Sequence, residues 1–252
     1  MSERITSRKN PLVAHLRRLT SERAYRREQG VFFCEGGKML EEALRWDWIP
    51  DVVVHTEECP LPRLPEATRL VEVPEELLQY VAATEAPQKL VFTCAMRSLT
   101  PPERPEQGVY LVLDGLQDPG NVGTIWRSAD AFDAKGIFLL NGCADVYSPK
   151  VVRATMGAVF RLPVWETSLQ ALCGRLAAVG IPLYATALRD DTVDVRQLTG
   201  NAMAVVIGSE GRGVSEQALL FSEKTIKIPM SARCESLNAA VAASLVLWEL
   251  YR

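Results

Sequence analysis

The chain has 252 residues, 48% hydrophobic and 23% charged, with a formal net charge of −3. Those proportions describe a globular protein with one large core or two ordinary ones, and exclude a disordered or collagen-like chain. No apolar run approaches the ~20 residues that a membrane span needs, and the polar start has no signal-peptide core, so a cytoplasmic protein without a membrane partner is expected.

Residues 1–30 hold eight Lys/Arg against three Glu, a local charge of +5 on a remainder of −8. A basic arm on an acidic body fits an anionic partner such as RNA, or else a solvated Arg-rich helix. Periodicity predicts a helix over 10–29, a strand over 31–34, a helix over 37–46 and strands over 51–55, 69–73 and 90–94. The prolines within 59–65 mark a loop, and Pro74 opens a helix over 74–83. These elements make a small α/β domain over 1–96. The stretch 97–107 has three prolines and almost no apolar content, which predicts an interdomain linker.

From 108 to 252 the alternation is cleaner. Short apolar runs at 109–113, 136–140, 183–187, 204–207 and 225–228 alternate with helical patterns at 122–132, 148–155, 168–179, 215–221 and 237–251. Continuous apolar strands between helices predict a parallel sheet covered on both faces, with ligands outside the C-terminal strand ends. The six cysteines, at 34, 59, 94, 143, 173 and 234, form no CxxC pair and read as reduced thiols. The two histidines, His15 and His55, lack any motif for a zinc site or a Ser-His-Asp triad, so no metal is expected.

Three turns late in the chain carry chemistry. The first runs Leu113-Asp-Gly-Leu-Gln-Asp-Pro-Gly-Asn-Val-Gly-Thr-Ile-Trp-Arg-Ser128. Here Asn121 is placed as an N-cap, Val122, Ile125, Trp126, Ala129 and Phe132 form an apolar face, and Asn121, Thr124, Arg127 and Ser128 a polar stripe. An Arg at a strand's C-terminal end can grip a phosphate bidentately, although an amphipathic surface helix gives the same spacing. The second is Gly208-Ser-Glu-Gly-Arg-Gly213, whose glycines permit close backbone approach. It is not the GxGxxG of a dinucleotide site, which argues against a nucleotide-dependent oxidoreductase. The third is Ile228-Pro-Met230 followed by Ser236-Leu-Asn238, where Ser236 or Asn238 caps a helix rich in small residues. Leu237, Val241, Ser244, Leu245 and Trp248 share one face of that helix, and Ala239, Ala240, Ala242 and Ala243 let another backbone pack closely, in the core or across a dimer.

Asp118-Pro-Gly-Asn-Val-Gly-Thr-Ile-Trp-Arg127, Ile207-Gly-Ser-Glu-Gly-Arg-Gly-Val-Ser215 and Ile228-Pro-Met with Ser236-Leu-Asn238, in this order, resemble the SpoU class of RNA ribose 2′-O-methyltransferases in the knotted SPOUT superfamily. Residues 1–96 resemble the α/β, ribosomal-protein-like RNA-binding domain often attached to such enzymes, through Ile5-Thr-Ser-Arg-Lys-Asn-Pro11 and Phe32-Phe-Cys-Glu-Gly36. The resemblance implies a SPOUT fold over 108–252 with a deep trefoil knot, and a homodimer through that domain. It implies S-adenosylmethionine held near Thr186, Ile207, Gly208, Glu210, Ile228, Met230 and Leu237. It implies methyl transfer to a ribose 2′-hydroxyl of structured RNA, rRNA more than tRNA, with Arg127 the essential group and Asn121, Glu210, Ser236 and Asn238 shaping the site. Arg8, Lys9, Arg17, Arg18 and Arg153 are the candidate RNA contacts. A non-catalytic RNA-binding protein on the same fold is the alternative.

Overall fold

In the computed structural model, which describes residues 3–189, 192–231, 233–234 and 236–251, β1 (Glu3–Arg4) leads into a helix that opens on proline. Asn10 caps it, its side chain accepting the Leu12 N–H at 2.9 Å. The helix expected over 10–29 is two helices, α1 (Pro11–Ser21) and α2 (Arg23–Gln29), because Glu22 adopts extended backbone between them. The bend turns Arg26 inward, where it is nearly fully buried. There its guanidinium donates to the Leu19 carbonyl and to the Asp145 carboxylate, both at 2.6 Å. Gly30, at φ 65, closes α2 in the left-handed conformation that glycine adopts without penalty.

The chain then runs through β2 (Val31–Glu35), α3 (Gly37–Arg45), β3 (Val52–His55), β4 (Arg69–Glu72), α4 (Glu75–Val81) and β5 (Leu90–Ala95). The five strands form a mixed sheet in the order β1-β4-β3-β5-β2. Val13, Leu16 and Leu19 of α1 and Leu77, Leu78 and Val81 of α4 bury against Val54, Val71 and Val91. This unit is Met1–Arg97 together with Asp145–Arg161. The later segment is held by the Arg26–Asp145 pair, by the Trp48 Nε1–H donating to the Phe160 carbonyl at 2.9 Å, and by packing of Phe32 with Trp48, Tyr147 and Phe160. The 148–155 helix, expected as a helix of the C-terminal domain, therefore packs on β2 of this unit.

The second unit is Ser98–Ala144 with Leu162–Arg252. In chain order its elements, with that inserted helix as α6, are β6 (Val109–Asp114), α5 (Pro119–Ala131), β7 (Gly136–Leu139), α6 (Pro149–Ala154), β8 (Val164–Glu166), α7 (Leu169–Ala177), β9 (Leu183–Thr186), β10 (Val193–Asp194), β11 (Met203–Gly208), α8 (Glu216–Phe221), β12 (Lys224–Lys227) and α9 (Ala239–Leu250). Seven strands lie in the order β10-β12-β9-β11-β6-β7-β8, and every pairing is parallel. The short edge strands β8 and β10 carry too few residues for a periodic signal and were not expected from the sequence. The proline-rich stretch 98–107 lies along this unit: the Leu99 carbonyl accepts from the Glu166 N–H and Gln107 Nε2 donates to the Val179 carbonyl, both at 2.8 Å.

The sheet has a topological switch. From β6 the chain steps outward to β7 and β8, whereas β11, the other neighbour of β6, is followed by β12 on the opposite side. Connections leaving adjacent strands in opposite directions open a crevice at their C-terminal ends.

Removing one partner of a nearly buried ion pair leaves the other charge stranded, which costs about 3–5 kcal/mol. Arg26→Ala should lower unfolding free energy by that amount in urea titration, and Arg26→Ala with Asp145→Ala should recover part of it. A loss below about 1 kcal/mol would show that the pair does not hold Asp145–Arg161 in place.

Candidate active site

β11 ends at Gly208, and the chain immediately doubles back. Ser209 and Gly213 exchange main-chain hydrogen bonds of 3.1 and 2.9 Å, closing a loop of three residues between them. Gly213 sits at φ 68. A Cβ on Gly208 would overlap the main chain of Gly213 and the amide nitrogen of Val214, so only glycine lets the returning strand lie this close. The Ser215 N–H, just beyond the loop, donates to Asp114 Oδ2 at 2.8 Å, which ties the loop to the end of β6.

Asn121 was expected as the N-cap of the next helix. The cap is Asp118, whose Oδ1 accepts the Asn121 N–H at 2.8 Å, and α5 starts at Pro119. Proline at the first helical position needs no partner for its missing N–H, which moves the helix start forward. Asn121 thus lies in the first turn with its amide free for other work. Its Nδ2 donates to Glu210 Oε1, and its Oδ1 accepts from Asn238 Nδ2 at 3.1 Å. Asn238 in turn caps α9, its Oδ1 accepting from the Ala240 and Val241 N–H groups at 2.9 and 3.2 Å. Three turns far apart in sequence are thereby joined by one chain of side-chain hydrogen bonds, with both the donor and the acceptor end of each amide in use.

Beside this network lies a cavity of about 320 Å³ at the ends of β9, β11 and β12. It is lined by Thr186, Ile207, Gly208, Glu210, Ile228, Met230, Ser236 and Leu237, which brings together all seven residues expected to hold the methyl donor, and Ser236 with them. Thr186 is itself fixed, its hydroxyl donating to the Val206 carbonyl at 2.9 Å. Ala187, at the end of the 183–187 run, also faces the cavity, as do Leu188, Lys227, Ala239 and Ala242, which the sequence reading did not assign to it. Their signal was positional only, since they follow strand ends or open a helix.

Arg127 sits on α5, exposed, with no hydrogen bond or ion pair among the described residues. Val122, Ile125, Trp126 and Ala129 are buried as the helical wheel requires, and Trp126 Nε1–H donates to the Leu162 carbonyl at 3.0 Å. Ser128 Oγ meets Ser244 Oγ at 2.7 Å, fixing α5 against α9. The helix expected from 237 starts at Ala239, so Leu237 precedes it; on α9 the alanines Ala239, Ala240 and Ala243 are buried, while Val241, Leu245 and Trp248 are exposed, Trp248 by 63%. Near these turns Cys143 donates its thiol to the Leu113 carbonyl, and burial holds that thiol above its usual pKa, so it is no ready nucleophile.

The cations expected to meet RNA lie in the first unit. Arg8 and Arg17 approach the Tyr80 ring at 4.8 and 5.0 Å, and Arg18 lies 3.7 Å from the Tyr25 ring centre while pairing with Glu22. Lys9 and Arg153 are exposed. Arg26, counted in the basic arm on sequence, is internal.

Comparison with known proteins adds the following. Residues 108–248 match the SpoU rRNA Methylase family, and residues 10–91 match an MRM3-like substrate binding domain. The 23S rRNA (guanosine(2553)-2′-O)-methyltransferase RlmP of Bacillus subtilis (strain 168) is 30% identical, covering 98% of this chain and 99% of that one. The AdoMet-bound rRNA methyltransferase from Sinorhizobium meliloti superposes with a TM-score of 0.88 at 30% identity, over 99% of this chain and 97% of that one. The SpoU methyltransferase AviRb from Streptomyces viridochromogenes, in complex with AdoMet, gives a TM-score of 0.84 at 27% identity, over 96% and 97%.

Asn238→Ala deletes the cap of α9 and unties Asn121. Lost N-caps cost about 1 kcal/mol, up to about 2. Thermal or urea unfolding of the variant should show a loss in that range, and an unchanged midpoint would mean that the network carries no stability.

Proposed function

The chain belongs to the SpoU rRNA methylase family, and from that premise we propose that it transfers a methyl group from S-adenosylmethionine to a ribose 2′-hydroxyl of rRNA. The observation that carries the reading is the cavity at the ends of β9, β11 and β12, with the Asn121–Glu210–Asn238 network beside it. The B. subtilis relative is named for this reaction on 23S rRNA, and two of the structural neighbours hold AdoMet.

The residues present suit that cofactor. Ile207, Ile228, Met230 and Leu237 offer apolar walls for an adenine, the glycine-lined loop brings main chain close to the cavity, and Glu210 sets a carboxylate beside a cationic ligand. When bound, S-adenosylmethionine supplies an electrophilic methyl carried on sulfur. The protein's own part is to place the hydroxyl and manage its proton. Arg127 has no side-chain partner among the described residues, and its guanidinium grips the phosphate beside the target ribose, holding the 2′-oxygen in line. A guanidinium stays protonated at neutral pH, so the departing proton passes to a phosphate oxygen or water that Arg127 orients. Glu210 and Asn121 fix the loop facing the ribose, and Ser236 and Asn238 shape the opposite wall.

The same reading includes a trefoil knot in the C-terminal segment and a homodimer that covers the exposed Val241, Leu245 and Trp248 of α9. It places the enzyme in the cytoplasm, and no helix of the described residues is long and apolar enough to cross a membrane. The domain over 1–96 binds the RNA through Arg8, Lys9, Arg17 and Arg18, with Arg153 exposed in the segment that packs on it.

Arg127→Ala should cut labelled-methyl transfer to rRNA by at least ~100-fold while S-adenosylmethionine binding, measured by calorimetry, persists. Near-normal turnover would remove Arg127 from the reaction, and no transfer by the unaltered protein would favour a non-catalytic RNA-binding role. Replacing Arg8, Lys9, Arg17 and Arg18 together by Ala should weaken RNA binding and reduce the slope of log K against log salt by up to ~3.6, about 0.7 to 0.9 per lost phosphate contact. An unchanged slope would acquit the arm.

A further inference from the structure

In the first unit, the turn before α1 and the far end of α4 meet at one exposed aromatic ring. Tyr80 lies in the last turn of α4 and is 39% exposed, while Leu77, Leu78 and Val81 of the same helix are buried in the core. Arg8 stands in a turn that Ser7 closes ahead of α1: the Asn10 N–H donates to the Ser7 carbonyl at 3.1 Å and the Lys9 N–H to the Ser7 hydroxyl at 3.2 Å. The Arg8 guanidinium carbon lies 4.8 Å from the centre of the Tyr80 ring. That of Arg17, on α1, lies 5.0 Å from the same centre, and Arg17 Nη1 donates to the Tyr80 carbonyl at 3.2 Å. This carbonyl is among the last on α4, which the helix itself leaves without an N–H, so Arg17 supplies its partner.

Capping accounts for Arg17 only in part, because it uses one N–H of a fork of five. It does not account for Arg8, whose guanidinium makes no hydrogen bond or ion pair among the described residues. Arg18 and Arg69 turn their forks onto Glu22 and Glu3. Neither Arg8 nor Arg17 is paired with a carboxylate among the described residues. Two like charges are thus held against one neutral ring, no farther apart than the sum of their distances to its centre. An anion seated between them converts that repulsion into attraction.

We infer that Arg8, Tyr80 and Arg17 form a preorganised clamp on the sugar-phosphate backbone of RNA, with Tyr80 as the positioning residue. The inference rests on the RNA-binding reading above and adds Tyr80, which neither charge nor motif singled out, and the chemistry of the contact. A phosphodiester carries one negative charge on two unesterified oxygens, which match the planar guanidinium fork. The ring is already covered by cations, so it holds the forks rather than stacking a base. Arginine side chains lose much rotamer freedom when they are immobilised, and forks already held against a ring lose less on binding. A backbone clamp fixes the position of the RNA without reading its sequence.

The test uses the full chain and two unrelated probes, 16S and 23S rRNA transcribed in vitro, with binding measured by filter retention over a range of KCl concentrations. Arg8→Ala with Arg17→Ala should reduce the slope of log K against log salt by about 1.4 to 1.8, two phosphate contacts' worth. Tyr80→Leu should weaken binding about 3- to 10-fold, of the order of one or two surface cation–π contacts, and equally on both transcripts. Tyr80→Phe should bind as the unaltered chain does, because the ring remains and the Arg17 hydrogen bond goes to main chain. Tyr80→Leu added to the double alanine variant should weaken binding no further, since a positioning residue has no effect once the groups it positions are gone. Melting temperatures should match throughout. A further loss in that combined variant would mean that the ring itself touches RNA, and would overturn the positioning role. Unchanged affinity in Tyr80→Leu, or a loss on one transcript alone, would overturn the clamp and leave the RNA-binding reading intact. No binding of either transcript by the unaltered chain would overturn that reading, and this inference with it.

Discussion

The site depends on one close approach, the return of the chain across Gly208. Main chain of Gly213 and Val214 occupies the space where any other residue would carry its Cβ. That contact lets the loop fold flat against the end of β11 and lock itself through the reciprocal Ser209 and Gly213 hydrogen bonds. Because the loop stands between two openings, a single backbone constraint fixes both a mostly apolar cavity and, on its other face, a polar cleft. Glu210 is carried at the loop's tip, and its position is then set by Asn121 and, one step further, by the cap of α9.

The parallel sheet explains why these turns are together. Asp114 pairs with Gly208 in the β6–β11 register, and Ile226 pairs with Thr186 in β9–β12. All C-terminal strand ends point the same way, so turns separated by more than a hundred residues of sequence lie side by side. The switch in strand order then decides where the sheet opens. Catalytic and binding groups are supplied by loops, while the apolar faces of the strands, Tyr110, Val112, Val206 and Ala185 among them, hold those loops still.

The first unit solves a different problem. Its basic residues divide into those that are structural and those left outside. Arg26 is drawn inward to meet Asp145 and the Leu19 carbonyl, whereas Arg8 and Arg17 lie over the Tyr80 ring with their charges at the surface. Charge counting alone treats these residues as equals. Burial separates them, because a desolvated guanidinium persists only where carbonyl and carboxylate oxygens replace its water.

The sequence by itself determined the fold class, the parallel sheet and the family. Apolar runs, prolines and glycines act locally, and the three late turns carry their spacing in the chain. All seven residues that the family resemblance assigned to the methyl donor line one cavity, although the periodicity of the chain alone assigned none of them. The break at Glu22, the role of Asp118 as cap and the transfer of Asp145–Arg161 to the first unit were not legible, because each turns on a partner distant in sequence. The polar cleft was equally hidden: Asp114, Gln117, Asn141 and Arg212 show no mutual spacing, and only the pairing of β6 with β11 and β7 sets them around one opening. Local propensity writes elements into a sequence, but which polar groups find each other is decided when the strands align.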